Sequence, residues 1–234
     1  MKTKSRLLAL AAALVSLAPA VSHAGSWNVG SGYWMMSFDT QGTEPAWANS
    51  KDSFGINQTS SHGYVAMMLG CHWGNCGQGG GALPKRISQI GGNVNTWFSQ
   101  SSSSQHYDAT YDIWFDPTPN PTNRNSAHEL MLWLQWAGTQ PISASYNAQG
   151  QAVPLATNVS LGGYTWNVFH RDGTFSFLLT SQRTWISTQV RPFWNYAVAR
   201  GWMGSTEYLN SVQAGWENVG GGKYTAYSFG VAGL

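Results

Sequence analysis

The chain has only four glutamates, Glu44, Glu129, Glu207 and Glu217, and two of them keep unusually apolar company. Glu129 lies near the start of AHELMLWLQW (127–136), and Glu217 ends YLNSVQAGWE (208–217). A carboxylate taken out of water is costly unless it is paired or shifts its pKa. Strand alternation removes the apparent conflict, because successive side chains point to opposite faces. Across 128–136 one face would carry His128, Leu130, Leu132, Leu134 and Trp136, and the other Glu129, Met131, Trp133 and Gln135. The leucine face belongs in a core, so Glu129 points the other way, into a mixture that suits the lining of a cleft. Glu217 repeats the arrangement, since Gln213, Gly215 and Glu217 alternate away from Val212, Ala214 and Trp216. In HYDATYDIWFD (106–116), Asp108, Thr110, Asp112, Trp114 and Asp116 share a face opposite Tyr107, Ala109, Tyr111, Ile113 and Phe115. If this strand pairs with 128–136, Asp112 stands near Glu129; the pattern equally allows a solvated carboxylate on an exposed strand. Glu44, before Pro45, and Glu207, in GSTEYL, read as solvated. Two carboxyl groups flanking a bound sugar are what hydrolysis of a glycosidic bond requires. Glu129 with Glu217 is the pair the pattern favours, and each alone also fits a plain surface position.

The elements that must position these residues are short. Runs rich in Tyr, Trp, Phe, Val and Thr lie at 63–69, 107–115, 128–136, 164–170, 174–180 and 208–217. Gly-, Pro- and Ser-rich connections separate them, including SQSSSSQ (99–105), DPTPNPTNRNSA (116–127), GNCGQGGGALP (74–84) and NVGGGK (218–223). None carries the Gly-x4-Gly-Lys-Ser/Thr pattern of a phosphate cradle. The spacing predicts an all-β fold, a jelly-roll sandwich of two antiparallel sheets. One segment departs from it: in 188–204, Val190, Phe193, Trp194, Ala197 and Val198 recur at helical spacing, with Pro192 early and Gly201 or Gly204 to end the turn. This predicts a single α-helix on the outer face.

Bulk properties narrow the partners. KTKSR followed by LLALAAALVSLAPAV and SHA has the form of a secretory signal peptide cut after Ala24, too short in its apolar run for a membrane anchor. The expectation is an exported protein in which 25–234 forms one catalytic domain. Of 12 Lys+Arg and 10 Asp+Glu, Lys2, Lys4 and Arg6 fall in the leader, which leaves 9 basic against 10 acidic residues. That near-neutral balance lacks the basic patch of a nucleic-acid binder. Thirteen Trp and 10 Tyr with 27 Gly suit a neutral, hydroxyl-rich polysaccharide, although an ordinary β core also uses aromatics. Cys71 and Cys76, in CHWGNC, are the only cysteines and predict a local disulfide; a zinc site with His72 would be a ligand short.

Taken in order, YDIWF (111–115), HELMLWL (128–134), WAGTQPI (136–142), LGGYTWNVF (161–169), TFSFLL (174–179), VRPFWNYAVARGWM (190–203) and YLNSVQAGWENVGGG (208–222) resemble family 12 of the glycoside hydrolases, endo-β-1,4-glucanases and xyloglucanases. The motifs cover roughly residues 107–222, and the Glu-Leu-Met-x-Trp-Leu strand is the most specific of them. The resemblance implies a retaining enzyme on a jelly roll, with Glu129 as nucleophile, Glu217 as general acid and then base, and Asp112 hydrogen-bonded to the nucleophile. It implies that Met131 and Trp133 line the cleft and that one Trp stacks a sugar. Trp73, Trp27 and Trp34 are candidates for that Trp, because the family's N-terminal motif is not recognisable in 25–60. Trp216 stands where a smaller Thr-like residue is usual and is expected to reshape the leaving-group side; the 71–76 disulfide is not the family's usual one. Carboxylates and water suffice for this chemistry, so no metal or cofactor is expected, and the protein is expected to act as a monomer on polysaccharide, away from membranes. The alternatives are a xylanase of the related clan and a non-catalytic carbohydrate-binding jelly roll.

Overall fold

The computed structural model describes residues 25–39, 46–59, 63–79, 81–218 and 220–234; the expected leader (1–24) and Glu44 lie outside the described residues. The first strands are β1 (Gly25–Gly30), β2 (Tyr33–Asp39), β3 (Ala46–Ser50), β4 (Ser53–Thr59) and β5 (Gly63–His72). Two short strands follow, β6 (Asn75–Cys76) and β7 (Lys85–Arg86), then β8 (Asn95–Ser102), β9 (Tyr107–Asp116) and β10 (His128–Ala137). The remainder are β11 (Ala156–Leu161), β12 (Tyr164–Arg171), β13 (Thr174–Leu179), β14 (Trp185–Gln189), helix α1 (Arg191–Ala199), β15 (Tyr208–Asn218) and β16 (Gly222–Ala232). Two sheets result. The larger runs β1-β2-β5-β15-β9-β10-β13-β12-β11, and the smaller β14-β8-β16-β4-β3. Among the described residues every pair is antiparallel except β10 with β13; the connection 138–155 crosses the sheet so that β11 runs in the direction of β10, and the β11–β12–β13 meander brings β13 back parallel to β10.

The core fills the space between the sheets, and alternation decides what enters it. Tyr107, Ala109, Tyr111, Ile113 and Phe115 of β9 are all buried there, as are Leu130, Leu132 and Leu134 of β10 and Val212, Ala214 and Trp216 of β15. Trp216 is fully buried against Phe54, Phe98 and Tyr224 and donates through Nε1 to Gln100 Oε1. It therefore belongs to the core and does not shape the leaving-group side, contrary to the sequence expectation. The helix sets Phe193 and Trp194 on the core face of the large sheet, against Trp166, Phe177 and Phe115. It is shorter than the 188–204 pattern because Gly201 takes φ +69° just after its end, and the Gly201 and Trp202 amides bond back to Val198 and Ala197.

One register detail changes the faces of β10. A bulge at Leu134, between the Trp133–Thr110 and Gln135–Ala109 pairs, inserts an extra residue. Beyond it the alternation inverts. Gln135 turns to the core and accepts a hydrogen bond from Gln100 Nε2, while Trp136 turns to the opposite face beside Trp133. Strict alternation had assigned these two residues the other way round. Glu207 is also not solvated: it is 5% exposed, its Oε2 lies 3.0 Å from His128 Nδ1, and its Oε1 accepts from the Gly204 amide.

Candidate active site

Three adjacent strands of the large sheet, β15, β9 and β10, present carboxyl groups on the face away from the core. Register fixes their arrangement: Asp112 stands between Gln213 and Met131, Glu129 is opposite Trp114, and Glu217 is opposite Asp108. A cleft of about 470 Å³ opens over this face, lined by Glu129, Glu217, Asp112, Gln213, Trp114, Tyr64, His72 and Trp73 and walled by Thr122–Arg124. Glu129, Glu217 and Asp112, singled out from sequence, thus share one cavity. Asp112 is no solvated surface carboxylate, being 2% exposed.

The four carboxyls are not equivalent. Glu129 Oε2 accepts from Arg124 Nη2 at 2.8 Å and from Thr174 Oγ1 at 3.1 Å. Burial pushes its pKa up, and Arg124 and Thr174 oppose that push. Glu217 has the Glu129 charge as a neighbour instead; burial first and that charge second push it up to about 7, with Arg124 opposing. Asp112 is pushed well above the carboxylate range by burial, then by Glu217 and Glu129. Neither of its oxygens has a hydrogen-bond partner among the described residues, so the bond to Glu129 that the resemblance implies is not formed here; Glu129 bonds Arg124 and Thr174 instead. The Tyr64 hydroxyl donates to Gln213 Oε1, and that of Thr110 to the Tyr111 carbonyl. Asp108 is raised well above its usual value by burial, then by Glu217 and Asp112. Negative charge therefore settles first on Glu129, the carboxyl with a cation and a hydroxyl beside it. Glu217 keeps its proton up to near neutrality, and the two buried aspartates remain acids.

These raised values link to stability with a definite sign. A carboxyl whose folded pKa exceeds its unfolded value favours folding below the unfolded pKa, and that contribution is lost as pH rises through the folded value. For Glu217 the window runs from the ordinary carboxylate range to about 7. Asp112 adds to the same loss at higher pH, so Asp112→Asn is expected to raise the melting temperature at pH 8 by roughly 3 °C or more, about 1 kcal/mol for a domain of this size. The gain should vanish at pH 4. Calorimetry of both proteins at the two pH values checks this, and a lower melting temperature for the variant at pH 8 would contradict it.

The aromatic wall comes from a hairpin built for the purpose. Cys71 and Cys76 pair across β5 and β6 and are joined as a disulfide, and His72 pairs with Asn75. The two central residues, Trp73 and Gly74, both take positive φ, +46° and +85°, as a two-residue type I′ hairpin requires. Such a conformation is rare for an aromatic residue, and here it turns the Trp73 ring onto His72 (4.4 Å) and Trp114 (4.9 Å) at the cleft. His72 is held neutral, its pKa lowered to about 4 by burial, and its Nδ1 accepts from Gln213 Nε2.

The other predicted lining residues fall elsewhere. Met131 and Trp133 share the face of Glu129 but are 5% and 3% exposed, packed with Phe169, Leu178 and Trp136 beneath Ala152. They form an apolar floor beside the cavity and not its lining. Trp34 lies on the cleft face but is buried with Met36 and Met68, its Nε1 donating to the Gly70 carbonyl, so no ring face is free to stack a sugar. Trp27 pairs with Met35 and packs against the inter-sheet core, on the wrong face altogether. Sequence reasoning missed Arg124, Thr174, His72, Trp114 and Tyr64 as site residues. Trp114 was legible, since it shares a face with Asp112; Arg124 sits in an irregular loop that gives no periodicity to read.

The family profile described as Glycosyl hydrolase family 12 matches residues 22–232, reaching the N-terminal stretch that the motifs do not. Endoglucanase S of Pectobacterium parmentieri is 30% identical over 190 residues, 74% of this chain and 68% of that protein. A xyloglucan-specific endo-beta-1,4-glucanase A of Emericella nidulans is 30% identical over 146 residues, 60% of this chain and 57% of that protein. Among solved structures, an endoglucanase from Rhodothermus marinus superposes with a TM-score of 0.78 at 27% identity, covering 92% of this chain and 98% of that one. With a jelly-roll fold, a cleft of unequal carboxyls and a match along nearly its whole length, the chain belongs to glycosyl hydrolase family 12.

Proposed function

We propose that the protein is a retaining endo-β-1,4-glucanase, exported after removal of residues 1–24, that cleaves internal bonds of cellulose-like glucan, mixed-linkage glucan or xyloglucan as a monomer. The observation that carries this reading is the unequal pair in one cleft: Glu129 beside Arg124 and Thr174, and Glu217 protonated up to about 7. In the first step the Glu129 carboxylate bonds to the anomeric carbon as the glycosidic C–O bond breaks, and the Glu217 proton passes to the departing oxygen. In the second, Glu217, now a carboxylate, takes a proton from water as that water attacks the same carbon, which frees Glu129 and restores the Glu217 proton. Asp112 stays a neutral acid beside the nucleophile, so that a second full negative charge is not placed in the site. Trp73, part-exposed at the cleft, offers a ring face to the sugars, with the buried Trp114 packed against it, and the neutral His72–Gln213–Tyr64 chain offers hydrogen bonds.

Two relatives carry names that point to different glucans, endoglucanase and xyloglucan-specific glucanase. Product analysis on cellulose, mixed-linkage glucan, xyloglucan and xylan side by side tests the reading. Glucan oligomers from at least one of the first three are expected. Xylose oligomers alone would favour the related xylanase activity, and binding without cleavage would favour a carbohydrate-binding module.

A further inference from the structure

The loop between β9 and β10 is a built element. Asp116, fully buried, accepts from the Thr118 amide through Oδ1 and from Ser126 Oγ through Oδ2, so one carboxylate clasps both ends of the loop. The Asn120 amide donates to Asn210 Oδ1, and Asn120 Oδ1 accepts from the Gly74 amide at the tip of the Trp73 hairpin. From this frame Arg124 reaches into the cleft. Its Nη2 donates to Glu129 Oε2 at 2.8 Å and to Thr174 Oγ1 at 2.7 Å, and its guanidinium lies 5.3 Å from the centre of the Trp114 ring.

We infer that Arg124 is a positioning residue that fixes the Glu129 side chain and keeps it ionised in the free enzyme, by gripping one oxygen and leaving the other for the sugar. Both contacts to Glu129 go to Oε2, and Oε1 has no hydrogen bond among the described residues. The charged and titratable groups around Glu129 are Asp112 and Asp108 on β9, Glu217 on β15, Tyr64 and His72 on β5, and Arg124 on the loop. His72 is neutral above about 4, so Arg124 is the one cation among the described residues lining the cleft, set against four carboxyls. Arg171 lies in the adjoining groove and is paired there with Asp172 at 3.6 Å. The nucleophile's charge in free enzyme thus depends on a residue delivered by a loop, outside the strands that carry the carboxyls.

This inference rests on the reading of Glu129 as nucleophile. The test is the pH dependence of kcat/KM on a soluble β-glucan for the wild type, Arg124→Gln and Arg124→Lys, with Glu129→Gln as control. Arg124 is half exposed, so both substitutions should leave the fold intact, which thermal melting verifies. In Arg124→Gln the acidic limb should move up by about one pH unit, the low end of the effect of a nearby opposite charge, and Arg124→Lys should regain most of it. An acidic limb that stays in place in Arg124→Gln, with only KM raised, overturns the inference and leaves Arg124 as a loop anchor. A Glu129→Gln protein that keeps its activity would defeat the functional reading itself, whatever the Arg124 variants do.

Discussion

Glu129→Gln is expected to lower kcat/KM on a soluble β-glucan by roughly 10⁴-fold or more, the scale seen when a covalent nucleophile is removed from a hydrolytic site. The amide cannot form the ester to the anomeric carbon, so the route through two displacements closes. Fold and stability should change little, because Gln keeps the shape and can still bond Thr174 Oγ1, and the cleft face contributes little to the inter-sheet core. Arg124 loses its anionic partner, but at half exposure it stays solvated. Initial-rate kinetics and a melting curve on the same preparation separate lost chemistry from lost structure. Activity within about tenfold of wild type would remove Glu129 from the mechanism.

Glu217→Ala should behave differently. With natural glucan the leaving group is a poor one and needs the Glu217 proton, so kcat/KM should fall by roughly 10²–10⁴, the usual contribution of general acid catalysis. An aryl glycoside whose phenolate leaves without help should be spared in the first step, and azide should then speed the second by replacing the unactivated water. The pH profile supplies a second signature. Glu217 must be protonated for the first step and is so below about 7, so wild-type kcat/KM should fall as pH rises through that value. The alkaline limb should disappear in Glu217→Ala; a limb that persists would place the acid on another residue.

The strands that carry this chemistry were legible because each buries one face. On β9 and β15 the alternation of Tyr111, Ile113 and Phe115, and of Val212, Ala214 and Trp216, told core from cleft without a register. The same rule failed at Gln135 and Trp136, because the bulge at Leu134 has no mark in the residue types around it. Glu207 was misread for another reason: its partner His128 is 79 residues away in the chain, and only the fold brings them together. Trp27, in GSWNVG, has too few large apolar neighbours to set a face, and Trp34, in YWMMSF, has them on both faces, so residue types alone could not tell a sugar platform from core or floor. Arg124 was invisible in principle, since its reach depends on the clasp at Asp116 and the tie at Asn120.

The central claim is that Glu129 bonds to the sugar and that Glu217 serves as acid and then as base. Proton NMR of the first product released from a soluble β-1,4-glucan, recorded before mutarotation, tests it most directly. Two inversions at the anomeric carbon must return the β configuration, so the β anomer should accumulate first. Initial release of the α anomer would mean a single displacement by water, and would contradict the account.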